Sequence, residues 1–440
     1  MKKIIYLLVL SAFCSTIAAQ TDTIKLSLDR AIQLGLNNRF DAKEGTLNID
    51  IAKNKLVKSK KELLPDISAN GKITYNGQVE PTIVSAGILG FTEPQKIALG
   101  MKNNTAFALD LNFTVYKPGL YTDIRMASNN LDLEKEKNNK TVIDIKVKVS
   151  EAYDNVLLKS LQYEIAQKNE NRYKEYYDLA KGKYNNGTLL ESDMQLAELD
   201  YKNAKANTEK QRQNYLLSLQ NLNFQLNVPQ QAVILLTDSL QSLIEATVST
   251  DLPNNAVANR TEIKQLKIQQ LGSELEFRKA KQNYLPTLSL FANYTQLYQN
   301  EAFNYSDNFF WSPVSYLGAK LSIPISGSFK NTNLVKEYKM KLAQTDLELK
   351  QKTNDIQYEV QEAETKFNNA KQNLTVATDN YLLSQKVYEL NKQQYNLGSF
   401  SYEKLLDTEK SLSTTEQEYI KGVYDFLIAN INYQEVTGMY

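Results

Sequence analysis

The chain has 440 residues, with 51 lysines and arginines against 50 aspartates and glutamates. This near balance argues against a nucleic-acid-binding protein, which needs an excess of basic residues. The sequence contains no histidine and a single cysteine, Cys14, which excludes His–Asp–Ser triads, histidine-ligated metals and imidazole proton shuttles.

The start of the chain has the pattern of an export signal. Two lysines follow the initiating methionine, residues 4–12 are apolar, and residues 17–19 offer a small residue for cleavage. The apolar run is too short to span a bilayer, which favours a cleaved signal over a retained anchor. Phe13 stands where lipid attachment to Cys14 would need a small residue. We therefore predict a signal peptide at 1–19 and a mature chain without cysteine.

Two parts of the chain resemble each other. Arg39 precedes Pro65 and Arg260 precedes Pro286 with the same 26-residue gap, and both arginines follow an asparagine. Residues 177–187 and 388–398 then share a tyrosine-rich pattern that ends in an Asn-x-Gly turn. This order indicates a tandem duplication. The predicted parts after the signal peptide are a first structural repeat at 20–228, a connector at 229–256 and a second structural repeat at 257–440.

Four segments alternate apolar with polar residues, a period that predicts β-strands. They lie at about 67–75 and 107–115 in the first repeat, and at 288–295 and 317–325 in the second. Loops at about 76–106 and 299–313 join each pair. Strands of about ten residues cross a bilayer when tilted. A half-buried soluble sheet gives the same alternation, so the strands alone leave both interpretations open.

Two long tracts without proline predict helices. No proline lies between Pro118 and Pro229 or after Pro324, and proline inside a helix costs about 3 kcal/mol. The helix before each internal turn would run about 65 residues, or roughly 100 Å. Such a length predicts antiparallel coiled-coil helices.

Each tract contains one turn signal. Gly187 and Gly398 would end a helix in the left-handed conformation. Thr188–Glu191 has the pattern of a capping box that opens the next helix, and Ser399 or Ser401 would do the same in the second repeat.

Apolar residues at heptad spacing support the coiled-coil interpretation. The positions are Ile356, Val360, Ala363, Phe367, Ala370, Leu374, Ala377 and Tyr381, and, in the first repeat, Val142, Ile145, Val149, Ala152 and Val156.

Two strand pairs cannot close a barrel, and an open sheet edge leaves backbone groups without partners in lipid. Closure therefore requires several copies. Two copies give eight strands around a filled interior, and three give twelve around an open lumen. We predict a homotrimer, with a tetramer as the competitor. Phe309, Phe310 and Trp311 suit a membrane-interface belt, and an aromatic plug within the loop is an equal alternative.

The arrangement resembles the TolC-like outer-membrane efflux proteins, also called outer membrane factors, over essentially the whole mature chain. The segments that carry the resemblance are Leu28–Asn38, Leu64–Ile67, Leu285–Leu288, Tyr184–Gly187, Tyr395–Gly398 and Ile431–Gly438.

The resemblance implies a mainly α fold with β: an α-barrel of long coiled-coil helices that crosses the periplasm, and four transmembrane strands per chain in a trimeric twelve-stranded β-barrel. The location would be the outer membrane of a Gram-negative cell. A membrane-fusion adaptor would dock at the two Tyr-x-x-Gly turns, and an inner-membrane pump of the RND or ABC type would deliver cargo. No cofactor or metal is implied.

The family often carries aspartates just after the second turn, at the entrance constriction. The matching positions are Lys404 and Asp407, so only the second is retained, and Glu403 is the adjacent carboxylate. Glu403 and Asp407 are therefore the candidate constriction residues. The alternative role for both is to complement a helix N-terminus, worth a few tenths to about 1 kcal/mol. The family's usual proline after Asn-Arg is Thr261 here.

Apolar residues beside the turns predict a docking surface, because a hairpin tip should expose them. The candidates for the tip turns and adaptor docking are Tyr184, Gly187, Leu189, Leu190, Tyr395, Gly398, Phe400 and Tyr402. For the two glycines the turn itself is the expected role.

The favoured function is a passive exit duct of a tripartite efflux or type I secretion system. A periplasmic coiled-coil adaptor or scaffold outside the membrane is the alternative, but it leaves the four amphipathic strands unexplained. An enzyme is least favoured, because we find no G-x-S-x-G, P-loop or calcium-loop spacing.

Overall fold

The computed structural model describes residues 24–88, 90–98, 100–245, 256–325, 327–397 and 399–440. The predicted signal peptide and Gly398 lie outside these ranges. The described strands are β1 (Ile24–Leu26), β2 (Asp66–Tyr75), β3 (Pro81–Val84), β4 (Gln95–Ala98), β5 (Asn103–Tyr116), β6 (Ile234–Leu236), β7 (Thr287–Asn300) and β8 (Trp311–Ser322). The helices are α1 (Leu28–Asn38), α2 (Phe40–Lys61), α3 (Pro118–Asn185), α4 (Glu191–Gln225), α5 (Leu240–Glu245), α6 (Ala256–Asn259), α7 (Thr261–Gln282), α8 (Gly327–Asn396) and α9 (Tyr402–Thr437).

The chain forms two compact units, and each draws on both predicted repeats. Among the described residues, the first unit comprises 24–47, 136–245, 256–264, 351–397 and 399–440, and the second comprises 48–88, 90–98, 100–135, 265–325 and 327–350.

The second unit contains a four-stranded antiparallel sheet in the order β2-β5-β7-β8. The four strands predicted from the period of two are therefore confirmed. Ile67 lies opposite Leu111, and Leu109 lies opposite Tyr294, so one face of the sheet is apolar. This face is solvent-exposed in the single chain, and Leu317 is 80% exposed. Exposed apolar rows of this kind are typical of a surface that meets lipid or a partner.

The opposite face of the sheet is polar and hydrogen-bonded across three strands. Asn70 on β2 and Asn293 on β7 donate to the two carboxylate oxygens of Asp110 on β5, at 2.9 Å and 2.7 Å. Thr295 donates to the side-chain oxygen of Asn293 at 2.8 Å. Since lipid would leave such groups without water, this face is suited to an aqueous interior.

The loops between paired strands differ from the prediction. The first loop contains the hairpin β3–β4, which the sequence did not predict. The second loop is shorter than expected, since β8 begins at Trp311 and includes Pro313. An edge strand accommodates proline because one of its sides makes no ladder hydrogen bonds. β8 also ends earlier than predicted, at Ser322.

Aromatic side chains form a cluster around the second loop. The hydroxyl of Tyr298 accepts from the backbone N–H of Asn304 at 3.0 Å, and the Trp311 indole donates to the Tyr305 carbonyl at 3.1 Å. Tyr298 is fully buried, whereas Phe309 is 85% exposed. The packed cluster fits the aromatic plug that the sequence offered as one alternative. The exposed Phe309 ring fits the other alternative, a membrane-interface belt.

The two proline-free tracts form the predicted helical hairpins. Helices α3 and α8 have 68 and 70 residues, and α4 and α9 have 35 and 36. Most of the heptad positions are buried, from Ile356 to Leu374 in α8 and from Ile145 to Val156 in α3. Among the described residues, no helix is long and apolar enough to cross a membrane.

The core of the first unit includes a feature that the sequence did not predict. Strands β1 and β6 form a parallel pair, with Leu26 opposite Leu236. The Tyr153 hydroxyl on α3 lies 3.0 Å from the Leu26 carbonyl and 2.9 Å from Asp238 Oδ2. The predicted connector therefore contributes a strand to this core.

A buried carboxyl lies one residue beyond Tyr153. Asp154 is 7% exposed, and its Oδ1 has no hydrogen-bond partner among the described residues. Burial raises the pKa of Asp154 to about 7.

Candidate functional site at the helical hairpin turns

The first turn, between α3 and α4, has the hydrogen bonds of a Schellman motif. The N–H of Gly187 donates to the Tyr184 carbonyl and the N–H of Thr188 to the Lys183 carbonyl, both at 2.9 Å. Gly187 has φ +71°, a left-handed conformation that glycine adopts without strain. Its predicted role in ending the helix is confirmed.

The second turn, between α8 and α9, repeats this pattern. The N–H of Ser399 donates to the Gln394 carbonyl at 3.0 Å, which corresponds to the bond from Thr188 to Lys183. Ser401 is the N-cap of α9, and its hydroxyl accepts from the Lys404 N–H at 3.4 Å.

The capping box predicted at Thr188–Glu191 is wrong. The N-cap of α4 is Leu190, which makes no side-chain cap hydrogen bond. The Thr188 hydroxyl instead donates to the Lys183 carbonyl at 3.0 Å. The Thr188 hydroxyl therefore caps the end of α3 and is not available to cap the start of α4.

The candidate docking residues separate into exposed and packed groups. Leu190 is 70% exposed, and Tyr184 is also exposed. Leu189 is half-buried. Leu397, which the sequence argument did not single out, is 84% exposed. The strongest apolar exposure at the turns is therefore at Leu190 and Leu397.

Phe400 is half-buried, so its expected exposure is wrong, and Tyr395 is buried. Both pack into a cluster with Tyr176, Tyr388 and Leu405. Lys183 holds Tyr395 through a 2.8 Å hydrogen bond to its hydroxyl and a position 4.5 Å from the ring centroid. The side chain of Tyr402 lies outside what the structure describes.

The two candidate constriction residues lie in the first turns of α9. Glu403 and Asp407 are exposed, as is Lys404 between them. Neither carboxylate forms an ion pair with another described residue. Four residues apart on a helix, they lie on one face. Charged side chains in this arrangement are free to face a partner or a passing ion.

A buried charge cluster lies farther along the same helices, and the sequence argument did not predict it. Arg172 on α3 lies with its Nε 3.0 Å from Oε1 of Glu409 and an Nη 3.1 Å from Oε1 of Glu416, both on α9. Asn169 donates to the other oxygen of Glu416 at 3.0 Å. Glu409 and Glu416 are only 1% and 3% exposed. The cluster therefore ties the first hairpin to the second through desolvated charges.

Burial sets the electrostatics of this cluster. It raises the pKa of Glu409, whose Oε2 has no hydrogen-bond partner among the described residues, and Arg172 opposes that shift. Burial also opposes the charge on Arg172, but Glu409 and Glu416 keep its pKa above the ordinary value. The guanidinium lies 5.5 Å from the Tyr388 ring centroid, and the Tyr388 hydroxyl contacts that of Tyr176.

The charged groups near the turns form ion pairs and hydrogen bonds between helices, which can form or break when helices move, and they do not form a reaction centre. Lys392 on α8 adds an ion pair to Glu175 on α3 at 2.7 Å. Within the described part of the chain, no group of three acidic side chains could hold a metal ion.

Comparison with known proteins agrees with this architecture. The model of the outer membrane efflux protein family matches residues 31–228 and 252–439. A CusC crystal structure is 18% identical, covers 97% of this chain and 95% of its own, and has a TM-score of 0.75. The CmeC outer membrane channel of Campylobacter jejuni is 14% identical over 93% of this chain and 85% of its own, with a TM-score of 0.73.

The open state of the MtrE outer membrane channel of Neisseria gonorrhoeae is 14% identical over 93% of this chain and 88% of its own, with a TM-score of 0.75. No curated protein matches the sequence.

A helical hairpin joined to a pair of strands occurs twice in the chain. This arrangement defines the class of outer-membrane exit ducts built from an α-barrel and a β-barrel. The chain belongs to the outer membrane efflux protein family. Its predicted fold class and its location, in the outer membrane and extending into the periplasm, are confirmed, and members of this class are channels rather than enzymes.

Proposed function

We propose that three copies of this chain form the exit duct of a tripartite efflux pump or a type I secretion system. The observation that carries the proposal is the sheet of the second unit. Its outer strands, β2 and β8, each have one side without a ladder partner among the described residues. Lipid does not tolerate such edges, so each β8 pairs with β2 of the partner subunit and twelve strands close the barrel.

In this assembly the apolar face of the sheet meets lipid, and the face that carries Asp110 lines the lumen. Each subunit contributes its repeats at 20–228 and 257–440 to the wall, joined by the connector at 229–256. The helices continue the duct into the periplasm. The chain transports passively, because a partner pump of the RND or ABC type supplies the energy.

The hairpin turns form the periplasmic end of the duct. Leu190 and Leu397 are suited to bind a membrane-fusion adaptor, because exposed apolar side chains at a turn gain free energy when a partner covers them. Glu403 and Asp407 face the lumen as a ring of carboxylates from three subunits, which favours cations at the entrance. Opening requires the helices at the turns to repack.

Planar bilayers test the duct directly. The purified protein should give a stable, low and cation-selective conductance, and its selectivity for cations should fall when the E403Q/D407N variant removes the carboxylate ring. The D193N variant is the control, because Asp193 lies in the first turn of α4 and outside the proposed ring. Absence of channels under every condition, together with extraction of the protein by alkali alone, would leave a periplasmic scaffold as the better interpretation.

A further inference from the structure

The duplication relates each strand of the first repeat to one of the second. Leu64-Pro65 corresponds to Leu285-Pro286, so β2 corresponds to β7, and Ile67 corresponds to Leu288. In the sheet Ile67 lies opposite Leu111, and Leu288 lies opposite Leu321. Leu111 and Leu321 are therefore equivalent, and their neighbours Asp110 on β5 and Lys320 on β8 occupy equivalent positions with opposite charge.

The junction between the repeats predicts the junction between subunits. Within the chain β5 pairs with β7, and Asp110 lies opposite Asn293. The equivalent junction joins β8 to β2 of the partner subunit. The spacing that relates Pro65 to Pro286 also relates Lys72 to Asn293. In this register Lys320 lies directly opposite Lys72 of the partner subunit.

The two faces of the sheet provide an independent check on this register. It places Leu317 opposite Tyr75 of the partner subunit and Ala319 opposite Ile73 of the partner subunit, so apolar residues meet on the lipid face. A slip of one residue would exchange the faces and place a lysine against an apolar residue.

The lysines at this junction lack a neutralising partner. Lys72 and Lys320 are exposed, and neither forms an ion pair with another described residue. Asp110, an acidic residue on the same face, is already hydrogen-bonded by Asn70 and Asn293. Like charges directly opposite each other destabilise a strand pair unless a counter-charge lies between them.

We propose that Lys320 and Lys72 of the partner subunit form an anion-binding pair at each of the three subunit junctions, on the luminal face of the barrel. The ligand is a carboxylate or phosphate group, carried by cargo or supplied by a free ion. This inference rests on the proposed trimeric duct, and it adds a cation-lined exit to a duct whose entrance carries carboxylates.

The register is tested by cysteine cross-linking in the chain with Cys14 replaced by alanine, which is otherwise free of cysteine. A short bifunctional thiol reagent should link K320C to K72C between subunits more efficiently than K320C to N70C or T74C. Preferential linkage to position 70 or 74 would overturn the lysine pair and leave the duct intact. Failure of every pair to link would count against the shared wall itself.

The anion preference is tested by the rates at which anionic and cationic methanethiosulfonate reagents modify K320C. A single charge about 6 Å away in water should change the ratio of the two rates about tenfold. The ratio in K320C should therefore fall about tenfold in K320C/K72Q and stay unchanged in K320C/K96Q, since Lys96 lies on the hairpin strand β4. Millimolar inorganic phosphate should slow the anionic reagent at T74C, which lies beside Lys72 and keeps both lysines of the pair, but not at T74C/K72Q. Equal rate ratios with and without Lys72 would overturn the proposal. If the rate ratio falls without Lys72 but phosphate has no effect, the ligand is limited to anionic groups on cargo.

Discussion

The guanidinium of Arg172 lies 3.0 Å from the carboxylate of Glu409, which is 1% exposed. Replacing Arg172 with alanine would leave Glu409 and Glu416 buried without their cation. Breaking a buried pair from one side typically costs about 3–5 kcal/mol, because the remaining charge stays desolvated. We expect R172A to lower the melting temperature of the purified protein clearly, as measured by circular dichroism in detergent.

Two variants make this test specific. R212A is the matched control, because Arg212 pairs with Glu209 on an exposed face of α4, and it should leave the melting temperature nearly unchanged. R172M/E409Q/E416Q removes all three charges and should recover part of the loss. If R172A were no more harmful than R212A, the cluster would not hold the hairpins together.

Asp154 predicts a stability that depends on pH. In the unfolded chain its carboxyl ionises near 3.8, whereas burial raises its folded pKa to about 7. The folded state therefore prefers the protonated form. The stability that Asp154 contributes to the fold is fully present below pH 3.8 and is lost as the pH rises towards 7. The linkage corresponds to roughly 4 kcal/mol.

The measurement is the melting temperature from pH 4 to pH 8 for the wild-type chain and for D154N. The amide cannot ionise, so the advantage of D154N over the wild type should grow with pH across this window. D178N is the control, since Asp178 is exposed on the same helix. A constant difference between wild type and D154N would show that the folded-state pKa of Asp154 is not raised into this range.

Replacing glycine with alanine should have opposite effects on stability at Gly187 and at Gly182. Gly187 has φ +71°, so G187A places a side chain in the left-handed region at a cost of about 1–2 kcal/mol. Gly182 lies inside α3 with open space around it, so G182A should stabilise the helix by up to about 1 kcal/mol. Guanidinium denaturation of both variants in detergent measures the difference, and equal effects would contradict the Schellman turn.

Leu190 and Leu397 predict where an adaptor binds. A photo-cross-linking amino acid at either position, in cells of the native organism, should give a discrete adduct that contains a membrane-fusion adaptor. The same probe at Leu217, which is 61% exposed on α4, should give none. L190D and L397D should abolish the adduct from the other position without lowering the melting temperature. Adducts of equal yield at all three positions would mean that the turns are not a specific docking surface.

The sequence predicts the long elements well because their periods are strong and uninterrupted. The helices of 68 and 70 residues and all four long strands follow from proline positions and from the alternation of apolar residues. The pairing of β1 with β6 could not be predicted, because three-residue strands carry little pattern and their partners lie far apart in the chain.

The details at the turns depend on which face of a helix is covered. The repeat alignment matches Tyr177 with Tyr388, but Tyr176 is the residue that meets Tyr388 in the core. The alignment gives equivalent positions and not the rotation of each helix. A signal for the charge cluster was present in α9, where Leu405, Glu409, Leu412 and Glu416 share heptad spacing. Acidic residues in a core stripe indicate a buried cation on a neighbouring helix.

The opposite charges of Asp110 and Lys320 follow from the fact that the two halves of the chain can mutate separately. A ring made from six copies of a single hairpin would have to carry the same side chain at all six equivalent positions. Fusing two hairpins into one polypeptide frees alternate sectors of the wall, so that an acidic and a basic lining can coexist at one depth of the same tube.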